Sequence, residues 1–219
     1  MDLPLHTDVP PRVLQLVQTH FPVLPVPFVP EIRLHKAVPT SGLWRLAEID
    51  ETGFGAPYWA HHWGGGTALA RYIFDHPDIV AGRRVLDLGS GSGIVGIAAA
   101  KTGARDVICA DTDKYAVAVA RLNAAINEVA VSTVVGDVTA DAPPEVDAVL
   151  IGDLFYEQDL AARVTAFADR CLTAHIEVVV GDPWRAFLPR SRLQVLAEYA
   201  VPDFGDGDGK SAVFRFKPG

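Results

Sequence analysis

Cysteine is scarce in this 219-residue chain: Cys109 and Cys171 stand alone, each inside an apolar run, and neither has a C-x-x-C or Cys/His ligand spacing. A disulfide framework or zinc site has no basis here, and buried thiols in a reducing compartment are expected. Basic residues are the minority, 19 Lys and Arg against 27 Asp and Glu, for a formal charge of -8. That balance opposes binding along nucleic-acid phosphates or to an anionic membrane surface. No uninterrupted apolar stretch reaches the ~18 residues of a membrane span. The N-terminus lacks a basic region followed by an apolar one, and Asp2 and Asp8 do not suit an Arg-rich presequence. What remains is a cytoplasmic protein, expected to be a monomer, with room for one α/β domain and a modest N-terminal elaboration.

Proline, by contrast, is concentrated. Nine of the 16 prolines precede residue 60, most densely in Phe21 to Pro30, which excludes a regular helix or central strand there. Residues 1–63 therefore read as a wrapping extension with a short helix near Val13 to Thr19 and a strand at Glu31 to Ala37. Residues 64–219 read as the catalytic domain. In it, helices at Thr67–Phe74, Ile94–Lys101, Lys114–Asn127 and Asp159–Cys171 alternate with strands at Arg84–Leu88, Val107–Ala110, Thr133–Val135, Val146–Ile151 and Glu177–Val180. That alternation predicts a mostly parallel sheet covered on both faces. Leu193–Ala200 and Ala212–Phe216, joined through Gly205 to Gly209, suit a terminal antiparallel hairpin. Five parallel strands and a hairpin match a seven-stranded, Rossmann-like methyltransferase sheet better than a dinucleotide-binding domain.

The first strand of that domain runs into Asp87-Leu88-Gly89-Ser90-Gly91-Ser92-Gly93. Successive glycines allow close backbone approach and leave a helix N-terminus facing a nucleotide-like ligand. Gly91-Ser92-Gly93-Ile94-Val95-Gly96 is formally G-x-G-x-x-G, so a nicotinamide cofactor competes. Asp87 decides against it, because a carboxylate suits the cationic amino group of S-adenosylmethionine, directly or through water, and repels a pyrophosphate. Gly89, Ser90, Gly91 and Gly93 form the cofactor loop in this reading. Asp111, beside Thr112 and 24 residues beyond Asp87, stands where an acidic ribose ligand belongs. Asp113 reads as the cap of the following helix. Asp137 is placed at the adenine amine with Val138 against the ring, the alternative being a turn aspartate.

After the fourth strand, Gly152-Asp153-Leu154-Phe155-Tyr156 puts an acid and two aromatics at the substrate edge of the sheet. A carboxylate can orient a lysine ammonium, and aromatic faces attract cationic nitrogen. Capping by Asp153, with the aromatics in the core, is the competing reading. Upstream, Trp63 is expected over the cofactor, with Tyr58 and Trp59 shaping a lysine channel. Adjacent His61 and His62 suggest packing or surface positions, and no metal is assigned.

Several stretches resemble the electron-transfer-flavoprotein β-subunit lysine methyltransferases: Tyr58-Trp59-Ala60 with Trp63 to Gly66, Ala68 to Tyr72, His76-Pro77-Asp78, Val85 to Gly93, Gly152 to Glu157, and Val180 to Pro183. The likeness runs from about Pro30 to Asp182 and extends, more distantly, to ribosomal-protein L11 methyltransferases. It implies a class I fold, S-adenosylmethionine as methyl donor and lysine of that flavoprotein subunit as acceptor. By the same resemblance Asp153 and Tyr156 match the substrate motif, Trp63 and Gly152 match cofactor contacts, and Asp111 matches the ribose acid. Where relatives often carry Trp-Pro-Gly-Gly-Gln, this chain has Trp63-Gly64-Gly65-Gly66-Thr67. Methylation of another protein, ribosomal for example, or of a small molecule is the alternative, and a noncatalytic module would have lost the glycines or Asp111.

Overall fold

Residues 9–49, 55–203 and 209–219 are described by the structure, a computed structural model. Helix α1 (Pro11–His20) leads into an antiparallel pair, β1 (Val23–Val26) and β2 (Val29–His35). β2 lies two residues earlier than the sequence pattern suggests, and β1 falls inside the proline run. A two-stranded ribbon consists only of edges, so prolines there forfeit little pairing. Side chains of helix α5 (Lys114–Ile126) and its C-cap clamp β2: Asn123 Oδ1 accepts from His35 N at 2.9 Å, and Asn127 Oδ1 from Arg33 N at 3.0 Å. Val9, Val13, Val17, Phe21 and Leu46, the last in helix α2 (Arg45–Ile49), bury against Tyr115, Ala116 and Val119 of α5. The N-terminal segment thus shares the core of the main body rather than building its own.

Helix α3 (Gly64–Asp75) starts three residues before the expected position, because Gly64, Gly65 and Gly66 are helical. Their conformation is dictated by packing. A Cβ on Gly65 would stand 2.4 Å from the Gly181 carbonyl, and one on Gly152 would stand 3.0 Å from Gly66 Cα. Only bare backbone lets the helix start settle onto the sheet.

The sheet contains β3 (Arg84–Leu88), β4 (Asp106–Asp111), β5 (Ser132–Val135), β6 (Ala148–Gly152), β7 (Glu177–Asp182), β8 (Leu193–Tyr199) and β9 (Ser211–Phe216), in the order β5-β4-β3-β6-β7-β9-β8. The first five are parallel, and β9 pairs antiparallel with both β7 and β8, as the pattern predicts. Residues 205–208 of the expected hairpin connection lie outside the described residues. Leu86, Leu88, Val149 and Ile151 face helix α6 (Gln158–Thr173), which buries Ala161, Val164, Phe167, Ala168 and Cys171. Val85, Cys109, Leu150 and Val179 face α3 and helix α4 (Ile94–Lys101). The order reverses at β3 and β6, so loops leaving their carboxyl ends diverge and open a crevice there. Among the described residues no helix is long and apolar enough to cross a membrane.

Candidate active site

A cavity of about 760 Å³ opens at that edge and takes residues from the ends of four of the parallel strands and Arg185 from the segment after the fifth. From β3 come Gly89 and Gly91, from β4 Asp111 and Thr112, and from β5 Asp137 and Val138. Gly89 and Gly91 hold positive φ angles of 66° and 50°, and a Cβ on Gly91 would find its nearest neighbour at 4.0 Å, leaving open space for a ligand. The Asp111 carboxylate accepts from Gly91 N and Asp113 N, both at 2.9 Å, which fixes its aim while leaving lone pairs for a vicinal diol. Burial raises its pKa, opposed by those backbone N–H groups. Asp113 caps α5 by accepting from Tyr115 N at 2.7 Å. Asp137 accepts from Thr139 N at 3.0 Å, the turn-aspartate arrangement, and still lines the cavity. Four lining carboxylates, Asp111, Asp113, Asp137 and Asp153, against Lys114 and Arg185 suit a cationic ligand better than a pyrophosphate.

Three expected cofactor contacts lie elsewhere. Asp87 is 1% exposed and does not line the cavity; strand alternation turns it toward α4, where its carboxylate accepts from Gly96 N at 2.8 Å. Burial, with nearby Asp111, pushes its pKa up to about 7. Its direct contact with a cofactor amine is therefore corrected to a supporting position beneath the loop. Ser90 is buried and Gly93 packs on Ala120 of α5, so both shape the loop from behind. Asn123, unremarked in the sequence, ties that loop to β2 by donating from Nδ2 to Ser92 O at 2.8 Å.

At the other end of the cavity stand aromatics. Tyr58, with its ring 5.7 Å from that of Trp63 and 5.8 Å from that of Tyr156, forms a partly exposed cluster at the mouth. Trp63 Nε1 donates to Tyr58 O at 3.0 Å. Trp59, buried and stacked on Phe21, lies instead at the glycine-loop end, its Cα 4.0 Å from where a Cβ on Gly91 would stand, so its expected place in a lysine channel is corrected. Phe155 does not line the cavity: it lies in the loop between β6 and α6 and is wholly buried in the cluster that α6 covers. Its assignment to the acceptor site is corrected to the core. Gly152 lines the wall where the sequence places it. His61 and His62 are kept neutral mainly by burial, with Lys36 adding to the effect; His62 falls to about 4. Among the described residues no group of three His, Cys, Asp or Glu could hold a metal.

Electron transfer flavoprotein beta subunit lysine methyltransferase of Rattus norvegicus is 35% identical over 86% of this chain and 78% of its own length. The protein of that name from Homo sapiens is 37% identical over 86% of this chain and 76% of its own. The chain belongs to this methyltransferase family. The family model of ribosomal protein L11 methyltransferase (PrmA) matches residues 67–154 of this methyltransferase. A solved tRNA (uracil-54, C5)-methyltransferase of Pyrococcus abyssi, in complex with S-adenosyl-L-homocysteine, shares the fold. Its TM-score is 0.51 at 22% identity, over 69% of this chain and 38% of that one.

In this methyltransferase Asp153 is not the open carboxylate expected from the sequence. It is 6% exposed at φ 63°, accepting from Gly65 N at 3.1 Å and from Arg185 Nε at 2.7 Å. Arg185 donates its remaining two nitrogens to both oxygens of Asp203, at 2.7 Å each. Burial raises the Asp153 pKa while Arg185 lowers it. Sequence reasoning missed Arg185 and Asp203; Arg185 alone carried a signal, its position two residues after the Gly181-Asp182-Pro183 stretch that carried the resemblance.

Asp182 itself is wholly buried, with Oδ1 accepting from Arg185 N at 2.6 Å and Oδ2 without a hydrogen-bond partner. Burial, the largest cause, pushes its pKa up to about 7. Since that lies above an unfolded carboxylate, Asp182 binds more protons folded than unfolded between about pH 4 and 7, and its ionisation erodes stability as pH rises through that window. Asp182→Asn keeps an acceptor for Arg185 N–H and removes the titration. Its melting temperature, relative to the unsubstituted protein, should therefore compare more favourably at pH 8 than at pH 5. Scanning calorimetry at both values checks this, and an equal difference at the two would show that Asp182 does not titrate there.

Proposed function

We propose that this chain transfers methyl groups from S-adenosylmethionine to a lysine amine of the electron transfer flavoprotein β subunit. The observation that carries the reading is one cavity holding a restrained acid, Asp111, at one end and the Tyr58, Trp63 and Tyr156 rings beside Asp153 at the other. Family membership supports the acceptor class, and the S-adenosyl-L-homocysteine held by the structural neighbour supports the cofactor.

When bound, S-adenosylmethionine would supply an electrophilic methyl carbon, which the neutral lysine nitrogen takes with its lone pair while sulfur keeps the electrons of the broken S–CH3 bond. The chain's own residues do the remaining work. Asp111 would accept from the ribose hydroxyls, with Thr112 and Gly91 beside it. Val138 would meet the adenine ring and Asp137 its amine. Trp63 covers the methyl-transfer end, and the aromatic mouth guides the lysine stem and excludes water. No strong base is required, because the lysine ammonium releases its proton to solvent before attack. The buried, unpaired Cys109 and Cys171 thiols suit a reducing setting, and a monomeric cytoplasmic enzyme is the arrangement proposed.

The purified protein should move labelled methyl from S-adenosylmethionine into recombinant flavoprotein β subunit, with the label mapped to lysine by mass spectrometry. Label appearing only in RNA or in small molecules from a fractionated lysate would overturn the assignment.

A further inference from the structure

Arg185 is a second cation lining the cavity, and unlike Lys114 it sits at the acceptor end. All three of its side-chain nitrogens are engaged, Nε with Asp153 and the other two with Asp203, while its backbone N–H is held by Asp182. The guanidinium therefore cannot wander; its Cζ stays 6.0 Å from the Trp63 ring centroid. The groups facing it are all acids, Asp153, Asp203 and Asp182. Around the neighbouring Tyr156 hydroxyl the charged groups are also acids, Asp111, Glu157 and Asp153, with the phenol of Tyr58 beside them. His61, against Trp63, has its pKa lowered by burial and by Lys36, which favours its neutral form.

Such a surplus of carboxylates attracts a lysine ammonium and, by the same force, resists its deprotonation. Transfer needs the free lone pair. We propose that Arg185 is the positioning residue that balances charge at the acceptor end: it fixes Asp153 in place and offsets the surrounding carboxylates, so that a docked lysine amine can give up its proton to solvent. The proposal rests on the lysine-acceptor reading above. It makes the pair Asp153 and Arg185 a unit, with Asp153 giving direction and Arg185 preventing that direction from trapping the acceptor in its unreactive form.

The test is the pH dependence of turnover at saturating acceptor peptide, measured for the unsubstituted enzyme and for Arg185→Gln, Arg185→Lys and Asp203→Asn. Removing the cation should move the rising alkaline limb up by about half to one pH unit, and removing a carboxylate should move it down by a similar amount, the size expected for one partly screened charge nearby. Arg185→Lys should restore the limb even if it slows turnover, since it keeps the charge and loses the fork. A purely structural clamp would lower rates without moving the limb in opposite directions. A second readout needs no turnover: with S-adenosylhomocysteine bound, calorimetry in two buffers counts protons released as the peptide binds at pH 8. Arg185→Gln should release fewer than the unsubstituted enzyme. If Arg185→Gln does not fold, the downward shift of Asp203→Asn alone decides the matter. Failure of the unsubstituted enzyme to methylate the lysine peptide would sink the acceptor reading; lysine methylation with limbs that stay put would overturn only the role of Arg185.

Discussion

Asp111→Ala should weaken binding of S-adenosylmethionine and S-adenosylhomocysteine by about 2–4 kcal/mol, roughly 30- to 800-fold, as expected for two hydrogen bonds to a charged acceptor. The geometry adds a second reason for a large effect. The carboxylate that would meet the ribose also holds Gly91 N and Asp113 N, so its loss frees the cofactor loop and the start of α5 together. Asp111→Asn keeps one acceptor oxygen and should lose less. Titration calorimetry of both variants checks this order, since Asn can still accept from one of Gly91 N and Asp113 N, which bond to different oxygens of Asp111, whereas Ala accepts from neither. Unchanged affinity in both would move the ribose role to Asp113, which lines the same cavity while capping α5.

The second large effect concerns Asp153. Asp153→Asn should lower methyl transfer to the flavoprotein about 10- to 100-fold, the scale of about 1.5–3 kcal/mol for losing a hydrogen bond to a charged partner. Asparagine tolerates the left-handed backbone at this position and can still accept from Gly65 N, so fold and cofactor affinity should change little. What is lost is the hold on Arg185, which would keep only Asp203. Label transfer measured beside cofactor titration tests this. Full activity would mean that the Asp153 charge is irrelevant, while a matching loss of cofactor binding would assign it to the cofactor side. Tyr156→Phe should do less harm if, as proposed, the exposed ring face rather than the hydroxyl is what would meet the acceptor.

The central elements were legible because their residues speak locally. A glycine loop after an apolar strand, an acid at the next strand end and an acid-aromatic stretch after the fourth each depend on neighbours a few positions away. Asp113 is a good instance, since a cap needs only the N–H groups of its own helix. The misreadings share a different cause. Asp87 was credited with a cofactor contact because proximity to the loop is visible in sequence, whereas the face to which its side chain turns depends on which helix covers that side of β3. Phe155 failed likewise: an aromatic beside a site residue looks functional, and only the path of the loop between β6 and α6 buries it under α6. Gly64 to Gly66 precede the expected helix start, and their place in it is set by long-range packing: a Cβ on Gly65 would strike the Gly181 carbonyl of β7, and one on Gly64 would strike Ser211 and Asp203.

By itself, then, the sequence determined the architecture, the glycine loop and the acidic and aromatic residues that line the cavity, since periodicity, turn chemistry and charge are properties of short windows. Only the tertiary structure decided how that acidity is used. The network of Asp153, Arg185, Asp203 and Asp182 joins residues separated by up to 50 positions, from the ends of β6 and β7 and the segment after β8. A long-range ion network leaves no periodic trace, because its members are paired by where the strands end in space rather than by spacing along the chain.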